Sequence, residues 1–267
     1  MTNALIVDSH LHLQDFGADI ELSQVIQHAR NAGVAYLVNN GTSETDWYAV
    51  LECARAHSEI VPCLGLHPWF VKNRSKNWLG KLENLVASNA CCVGEIGLDK
   101  CVENYDACEQ EEVFLAQLDL ARRYNRPAMV HCVRLWGKLV DILRNESDLP
   151  HGFLLHAYGG SADLVRPLAE MGAYFSFSGT VLKESYKRAR EALLAVPIDR
   201  LLVESDAPNM IPPPEFRAVT LVSEDGAELN SPGNLHAIVE GIADLLGKPA
   251  QELREILWQN ATSFFEI

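Results

Sequence analysis

Eight stretches of the chain stay almost continuously apolar until they reach a polar tip: ALIVDSHLHL, AYLVNNGT, IVPCLGLHP, ACCVGEIGL, PAMVHCV, GFLLHAY, AYFSFSG and RLLVESDAP. Strands covered on both faces have this character, whereas a half-exposed antiparallel strand alternates apolar and polar positions. Parallel strands are therefore predicted. Between them apolar residues recur at helical spacing, as at Leu22, Val25, Ile26 and Ala29, and again at Val113, Phe114, Leu118 and Ala121. Strand and helix alternate throughout, and eight parallel strands joined by crossovers of this length favour closure over an open doubly wound sheet. The predicted fold class is α/β, a (β/α)8 TIM barrel in a single domain over residues 1–267. That length is ordinary for one barrel. After the last apolar run, NMIPPPEFRAVTLVSEDGAELNSPGN is too long for an ordinary strand-to-helix connection. It reads either as an active-site flap or as a solvated excursion before closing helices that begin near Leu235.

Composition narrows the setting. Hydrophobic residues make up 48% and charged residues 22%, an ordinary globular balance. The seven cysteines show no C-x-x-C spacing, which argues against a zinc knuckle or a disulfide framework. Cys63, Cys91, Cys92 and Cys132 lie inside apolar runs, where a free thiol packs as a small hydrophobe. The leading MTNALIVDSHLHL carries no basic segment before its apolar run, and no apolar stretch approaches the roughly 20 residues needed to cross a bilayer. A cytoplasmic protein without membrane contact or an obligate protein partner is expected. A net charge of −14 opposes general attraction to nucleic acid, so any such contact has to be local. No glycine-rich dinucleotide fingerprint or P-loop follows a strand.

The chemistry collects at the strand tips: His10 and His12 in HLH, His67 in GLHP, Glu95 in GEIGLD, His131 in HCV, His156 in HAY and Asp206 in ESDAP. Side chains two apart on a strand share a face, so His10 and His12 can meet one ion. A lone histidine at a strand end is ordinarily structural. Histidines and carboxylates ending several strands, all aimed at the carboxyl face where barrel active sites lie, point instead to a metal centre.

The segments DSHLHL, GLHP, GEIGLD, QEEVFLAQLDLARRYNRPAMVHC, LLHAYGGS, VESDAP and NATSFF together resemble the TatD family of metal-dependent hydrolases, a branch of the amidohydrolase superfamily best known for deoxyribonucleases. The resemblance spans essentially the whole chain. It implies two divalent metal ions, zinc, magnesium or manganese, the first held by His10, His12 and Asp206 and the second by His131 and His156, with Glu95 bridging. It also implies that His67 contacts the substrate phosphate. Such paired ions activate water and clamp a phosphoryl oxygen. Asp206, beside that water, is the expected general base. Glu204, two residues earlier, is expected to face outward or to brace a ligand, and Asp99 to orient a ligand histidine or serve a turn.

The chain departs from the family on the substrate side. Trp69 stands where many members have a second histidine, Lys100 and Cys101 where aromatics are frequent, and Val133 precedes Arg134 where an arginine is common. Acidic SEDGAELNSP replaces a basic stretch. Against this, WFVKNRSKNW interleaves Lys72, Arg74 and Lys76 with Trp69, Phe70 and Trp78. That mixture suits single-stranded nucleic acid, or else a solvated loop with its aromatics turned inward. Lys183, Lys187 and Arg188 read as an exposed helix face. The expected activity is metal-dependent hydrolysis of DNA phosphodiesters at single-stranded or frayed ends, with DNA-contacting His67, Lys72, Arg74 and Arg134. The alternatives are an ester, amide or lactone hydrolase acting on a small or tRNA-linked substrate, and a catalytically silent metal-binding scaffold.

Overall fold

The computed structural model describes residues 5–17, 20–146 and 148–267, so Ala4, the first residue of the leading apolar run, lies outside the described residues. Its strands are β1 (Ile6–Leu11), β2 (Val34–Asn40), β3 (Ile60–Leu64), β4 (Cys92–Asp99), β5 (Ala128–Val133), β6 (Phe153–Leu155), β7 (Ala173–Phe177) and β8 (Leu201–Val203). They lie in sequence order in one eight-stranded parallel sheet, as the apolar runs predict. The helices are α1 (Leu22–Asn31), α2 (Trp47–Ala56), α3 (Trp78–Ser88), α4 (Ala107–Arg123), α5 (Trp136–Asn145), α6 (Ala162–Glu170), α7 (Lys187–Ala195), α8 (Leu235–Leu246) and α9 (Ala250–Phe265). No helix among the described residues is long and apolar enough to cross a membrane.

The two faces of each strand enter different cores. Val7, Val38, Cys63, Cys92, Met129, Leu154, Tyr174 and Leu202, one from each strand, form an inner cluster closed by Phe264 and Phe265 of α9. Their neighbours one position along, such as Ile6, Leu37, Val93 and Phe175, pack into the larger cluster shared with the helices. Alternation of side chains across a strand thus sorts residues into the barrel interior and its outer jacket. All seven cysteines are free.

The seam between β1 and β8 is built by specific polar bonds. Ser9 Oγ donates to the Val203 carbonyl at 2.7 Å, Asp206 N to the His10 carbonyl at 2.9 Å, and His12 N to the Ala207 carbonyl at 2.8 Å. Buried Asp8 accepts from Ser205 N at 2.8 Å and Ser205 Oγ at 2.5 Å. These bonds fasten the two ends of the sheet and set His10, His12 and Asp206 side by side.

The long late segment combines both expected characters. It carries a short antiparallel hairpin, Leu221–Val222 against Glu228–Leu229, and is anchored by buried Asn230 and Asn234. Asn230 Nδ2 donates to the Ser205 carbonyl at 2.7 Å, and Asn234 exchanges two bonds with the Val219 backbone. Its first residues, Asn209 and Met210, reach the mouth of the barrel.

Gly97 decides how closely β4 approaches β5. Its φ is 144°, and an added Cβ would stand 2.0 Å from the His131 carbonyl oxygen. Gly97→Ala is predicted to destabilise the protein by about 3 kcal/mol or more, because backbone faces the intruding methyl. Gly33→Ala, at φ 78° but with nothing within 4 Å of the added Cβ, should cost only about 1 to 2 kcal/mol. Denaturant unfolding of both variants measures this, and equal losses would contradict the close-approach explanation.

Candidate metal centre

The carboxylate of Glu95 sits in the middle of the strand tips. Its Oε2 is 3.5 Å from both His10 Nε2 and His12 Nε2. Its Oε1 is 2.9 Å from His131 Nδ1, 2.8 Å from His156 Nε2 and 3.3 Å from His67 Nε2. Asp206 Oδ1 closes the first side, 3.5 Å from His12 Nε2 and 3.8 Å from His10 Nε2. Two groups of side chains thus meet the two oxygens of one carboxylate. Glu95, His10, His12, His67, His156 and Asp206 are all buried, and His131 is half-buried.

Hydrogen bonds on the far side of His12, His131 and His67 decide what the near side of each offers. His12 Nδ1 lies 2.9 Å from the Asn40 carbonyl, an acceptor, so Nδ1 carries the proton and Nε2 turns a lone pair inward. His131 Nε2 faces the Asp99 carboxylate at 3.3 Å, which leaves Nδ1 as the inward lone pair. His156 Nδ1 stands 3.7 Å from Glu204 Oε1, turning Nε2 inward. These inward nitrogens crowd together: His10 Nε2 is 3.1 Å from His12 Nε2, and His131 Nδ1 is 3.1 Å from His156 Nε2. His67 differs. Its Nδ1 accepts from Trp69 N at 3.1 Å, so the inward Nε2 carries a proton. Although His67, Glu95 and His131 are close enough to form a group of three, His67 presents a donor there.

Charge makes the same point. Asp8, Glu95, Asp99, Glu204 and Asp206 are all buried, yet the ion pairs of Glu95, Asp99, Glu204 and Asp206 go to histidines, with no Lys or Arg among the described residues. Buried carboxylates need compensating charge. Inward imidazole lone pairs beside carboxylates fit divalent cations such as zinc or manganese.

The site titrates accordingly. Burial would raise Glu95, but His67 and His156 beside it hold its carboxyl well below the usual range. Burial lowers His10 to about 3 and His67 to about 4. For His131 burial pulls down, but hydrogen bonds with Asp99 and Glu95 win and raise it. His156 is raised well above its ordinary value against burial, chiefly by the charge of Glu95 and by Glu204. Asp206 is raised, mainly by burial, with Glu204 and Glu95 adding to it against His12 and His156. Burial pushes Asp8 up to about 7 despite its bonds from Ser205.

Several positioning residues have no signal in the strand-tip pattern. Gln110 and Gln117, seven apart on the buried face of α4, clamp the backbone at two tips. Gln110 accepts from Asp99 N at 2.9 Å and donates to the Asp99 carbonyl at 3.0 Å; Gln117 does the same for Leu66 at 2.7 and 3.2 Å. Two buried glutamines at helical spacing were the available clue. Asn40, holding His12, and Asn39 Oδ1, accepting from Leu13 N at 2.7 Å, end β2 as the pair NN.

Asp99 serves both roles expected of it: Oδ2 faces His131 and accepts from Trp69 Nε1 at 2.8 Å, while Oδ1 accepts from Cys101 N at 2.7 Å. Glu204 does not face outward. The strand ends at Val203 and Asp206 takes φ 52°, so alternation no longer governs the pair. Glu204 turns inward, accepting from Ala157 N at 2.8 Å and from Ser176 Oγ and facing His156.

The substrate-side residues divide. Arg74 is not free for phosphate, because its Nη1 pairs with Glu109 Oε1 at 2.6 Å and donates to the Val71 carbonyl at 2.5 Å. Glu109, in the first turn of α4, lies opposite it and takes its charge. Trp78 is buried at the start of α3. Lys72, Lys76 and Arg134 are exposed, but Val133, not Arg134, lines the cavity over the metal centre. Lys187 and Arg188 are exposed, as expected, and Lys183 half-exposed. The cavity measures about 460 Å³ and has Trp69, Phe70, Val133 and Met210 as its apolar wall, with Asp15, Thr42 and Asn209 at the mouth.

Residues 7–266 match the family model described as TatD related DNase. The chain belongs to the TatD family. Membership makes it a metal-dependent hydrolase acting on ester bonds, as the strand-tip residues predict. It is 29% identical to the uncharacterized metal-dependent hydrolase YabD of Bacillus subtilis, over 98% of this chain and all of that one. It is also 29% identical to a protein of Edwardsiella piscicida named 3'-5' ssDNA/RNA exonuclease TatD, over 92% of this chain and 94% of that one. The crystal structure of YjjV, a TatD homolog from Escherichia coli, superposes with a TM-score of 0.86 at 25% identity, covering 98% of each chain.

Two predictions follow from this TatD site. Glu204→Gln keeps the side chain's shape but removes the charge facing His156, and should weaken metal affinity about 10- to 100-fold in a calorimetric titration; unchanged affinity would show that Glu204 supports only the backbone. In metal-free protein His67 has a folded pKa of about 4, below its ordinary 6.5. Its contribution to stability is complete above pH 6.5 and is lost as the pH falls towards 4. The stability of wild type minus that of His67→Asn should therefore decline across that window in urea unfolding, and a constant difference would contradict the low pKa.

Proposed function

We propose that this TatD protein is a two-cation phosphodiesterase acting on single-stranded DNA or frayed DNA ends. The observation that carries the reading is the divided carboxylate: Glu95 Oε2 meets His10 and His12, and Oε1 meets His131 and His156. In the proposed assignment His10, His12 and Asp206 would hold one ion and His131 and His156 the other, with the Glu95 carboxylate available to both. Paired divalent cations, zinc, magnesium or manganese, supply an activated water and neutralise charge on a phosphoryl oxygen.

The remaining steps belong to the protein. Asp206, held at φ 52° on the β1–β8 seam with its Oδ1 turned to the centre, accepts the proton of the attacking water. His67 is neutral at pH 7 and directs Nε2–H into the cavity, so it donates to the phosphoryl oxygen as negative charge grows there. Glu204 and Asp99 hold His156 and His131 in the orientation that keeps their lone pairs inward.

The substrate class is supported by the apolar wall of the cavity, which suits a nucleobase, and by the name of the Edwardsiella piscicida relative, 3'-5' ssDNA/RNA exonuclease. With a net charge of −14, affinity has to come from these local contacts. A cytoplasmic setting fits the seven free thiols.

Metal-reconstituted protein should degrade single-stranded DNA, stop on chelation and recover when metal is restored. DNA left intact while a carboxylic ester or lactone is hydrolysed would replace the phosphodiesterase reading with a carbonyl hydrolase. Asp206→Asn should retain most of its metal by elemental analysis while single-turnover cleavage falls roughly 10²- to 10⁴-fold, whereas His12→Ala should lose metal. Near-normal cleavage by a fully loaded Asp206→Asn variant would remove Asp206 from the proton-transfer role.

A further inference from the structure

A second cavity of about 430 Å³ adjoins the one over the metal centre. Trp69 and Cys101 line both, so the indole stands between them. The second cavity is lined further by Lys72, Asn73, Glu103 and Asn104. Each is the size of a small-ligand pocket.

Trp69 is unusual among the tryptophans. The residue is 61% exposed, whereas Trp47 and Trp78 are buried. It is nevertheless fixed. Its Nε1 donates to Asp99 Oδ2 at 2.8 Å, and its ring stands edge-on to His67, with centroids 4.9 Å apart and planes at 83°. An exposed aromatic ring held in place loses little freedom when a flat ligand stacks on it. Cys101, whose backbone N is bonded to the other oxygen of Asp99, contributes a small side chain to the lining of both cavities. Lys72 is exposed and forms no ion pair among the described residues, unlike Arg74, which is tied to Glu109.

Resting on the phosphodiesterase reading, we infer that the second cavity binds the nucleotide next to the one being cut, with its base stacked on Trp69 and a phosphate at Lys72. The amides of Asn73 and Asn104 offer both donors and acceptors to base edges, so the subsite accepts different bases. The same indole that carries the base bonds to Asp99, which faces His131. Occupancy of the subsite therefore steadies a residue that orients a ligand of the metal centre. Substrates of two or more nucleotides are favoured over single phosphodiesters.

The test uses metal-loaded protein with hydrolysis-resistant probes: thymidine phosphorothioate and phosphorothioate-linked di- and trithymidylates. Affinity should rise at least about tenfold between the first probe and the second, with quenching of tryptophan fluorescence. Trp69→Ala should lose both the rise and the quenching; being exposed, the residue can be replaced without opening the core. Trp69→Phe, which keeps a stacking face but no N–H for Asp99, should restore most of the rise. Lys72→Met should weaken binding of the dinucleotide probe and flatten its salt dependence. A rise that survives Trp69→Ala, or wild type that shows no rise or no quenching, overturns the subsite. Hydrolysis of bis(p-nitrophenyl) phosphate by wild type reports the phosphodiesterase reading separately, since that substrate has no second nucleotide. Turnover of it without a length effect overturns the subsite alone, and a length effect without turnover overturns the phosphodiesterase reading and with it the catalytic role of the subsite, leaving a dinucleotide-binding cavity.

Discussion

The Glu95 carboxylate is the group on which the rest of the site depends, because it is buried within 3.5 Å of five imidazoles and is paired with no Lys or Arg among the described residues. A carboxylate so placed is costly unless positive charge is supplied close by. Glu95 helps to raise His131 and His156, while His67 and His156 beside it hold its own carboxyl low. Divalent cations answer the same need more fully. The outer nitrogens of His12 and His131 are held by Asn40 and Asp99, and that of His156 stands 3.7 Å from Glu204, so the inward nitrogens of all three are turned to the shared carboxylate where such ions would sit.

Holding that arrangement is what the barrel does. Asp8, Ser9 and Ser205 close the β1–β8 seam and so place His10 and His12 against Asp206. Gln110 and Gln117 of α4 grip the backbone at Asp99 and just before His67, and Gly97 lets β4 approach β5 closely enough for Glu95 and His131 to meet. Stability and function share these contacts. The seam that completes the sheet also fixes the ligands, and the helix that covers β4 also positions Asp99.

Much of this was legible in the sequence, and the reason is physical. A parallel strand buried on both faces has few places for a polar residue except its carboxyl tip, so histidines and carboxylates ending apolar runs stand out. That pattern located the eight strands and brought His10, His12, His67, Glu95, His131, His156 and Asp206 to one place. What stayed hidden depended on long-range pairing or on leaving regular geometry. The sequence left Glu204 either facing outward or bracing a ligand, and only the structure, in which the chain leaves the strand at Val203 and Glu204 turns towards His156, decides for the second. Arg74 looked free until Glu109, 35 residues away, was seen to take its charge. The glutamines of α4 resembled ordinary polar helix positions, because only the folded barrel places them beside strand ends. In the basic and aromatic loop, residue types alone did not separate Trp78, which packs inward, from Trp69, which stands at the site.

The account is tested most directly by crystallising the protein with manganese and recording anomalous diffraction. Two manganese peaks are predicted, one against His10, His12 and Asp206 and the other against His131 and His156, with Glu95 contacting both and His67 contacting neither. A single peak, or two peaks with Glu95 bound to only one, would contradict a centre organised around a shared carboxylate.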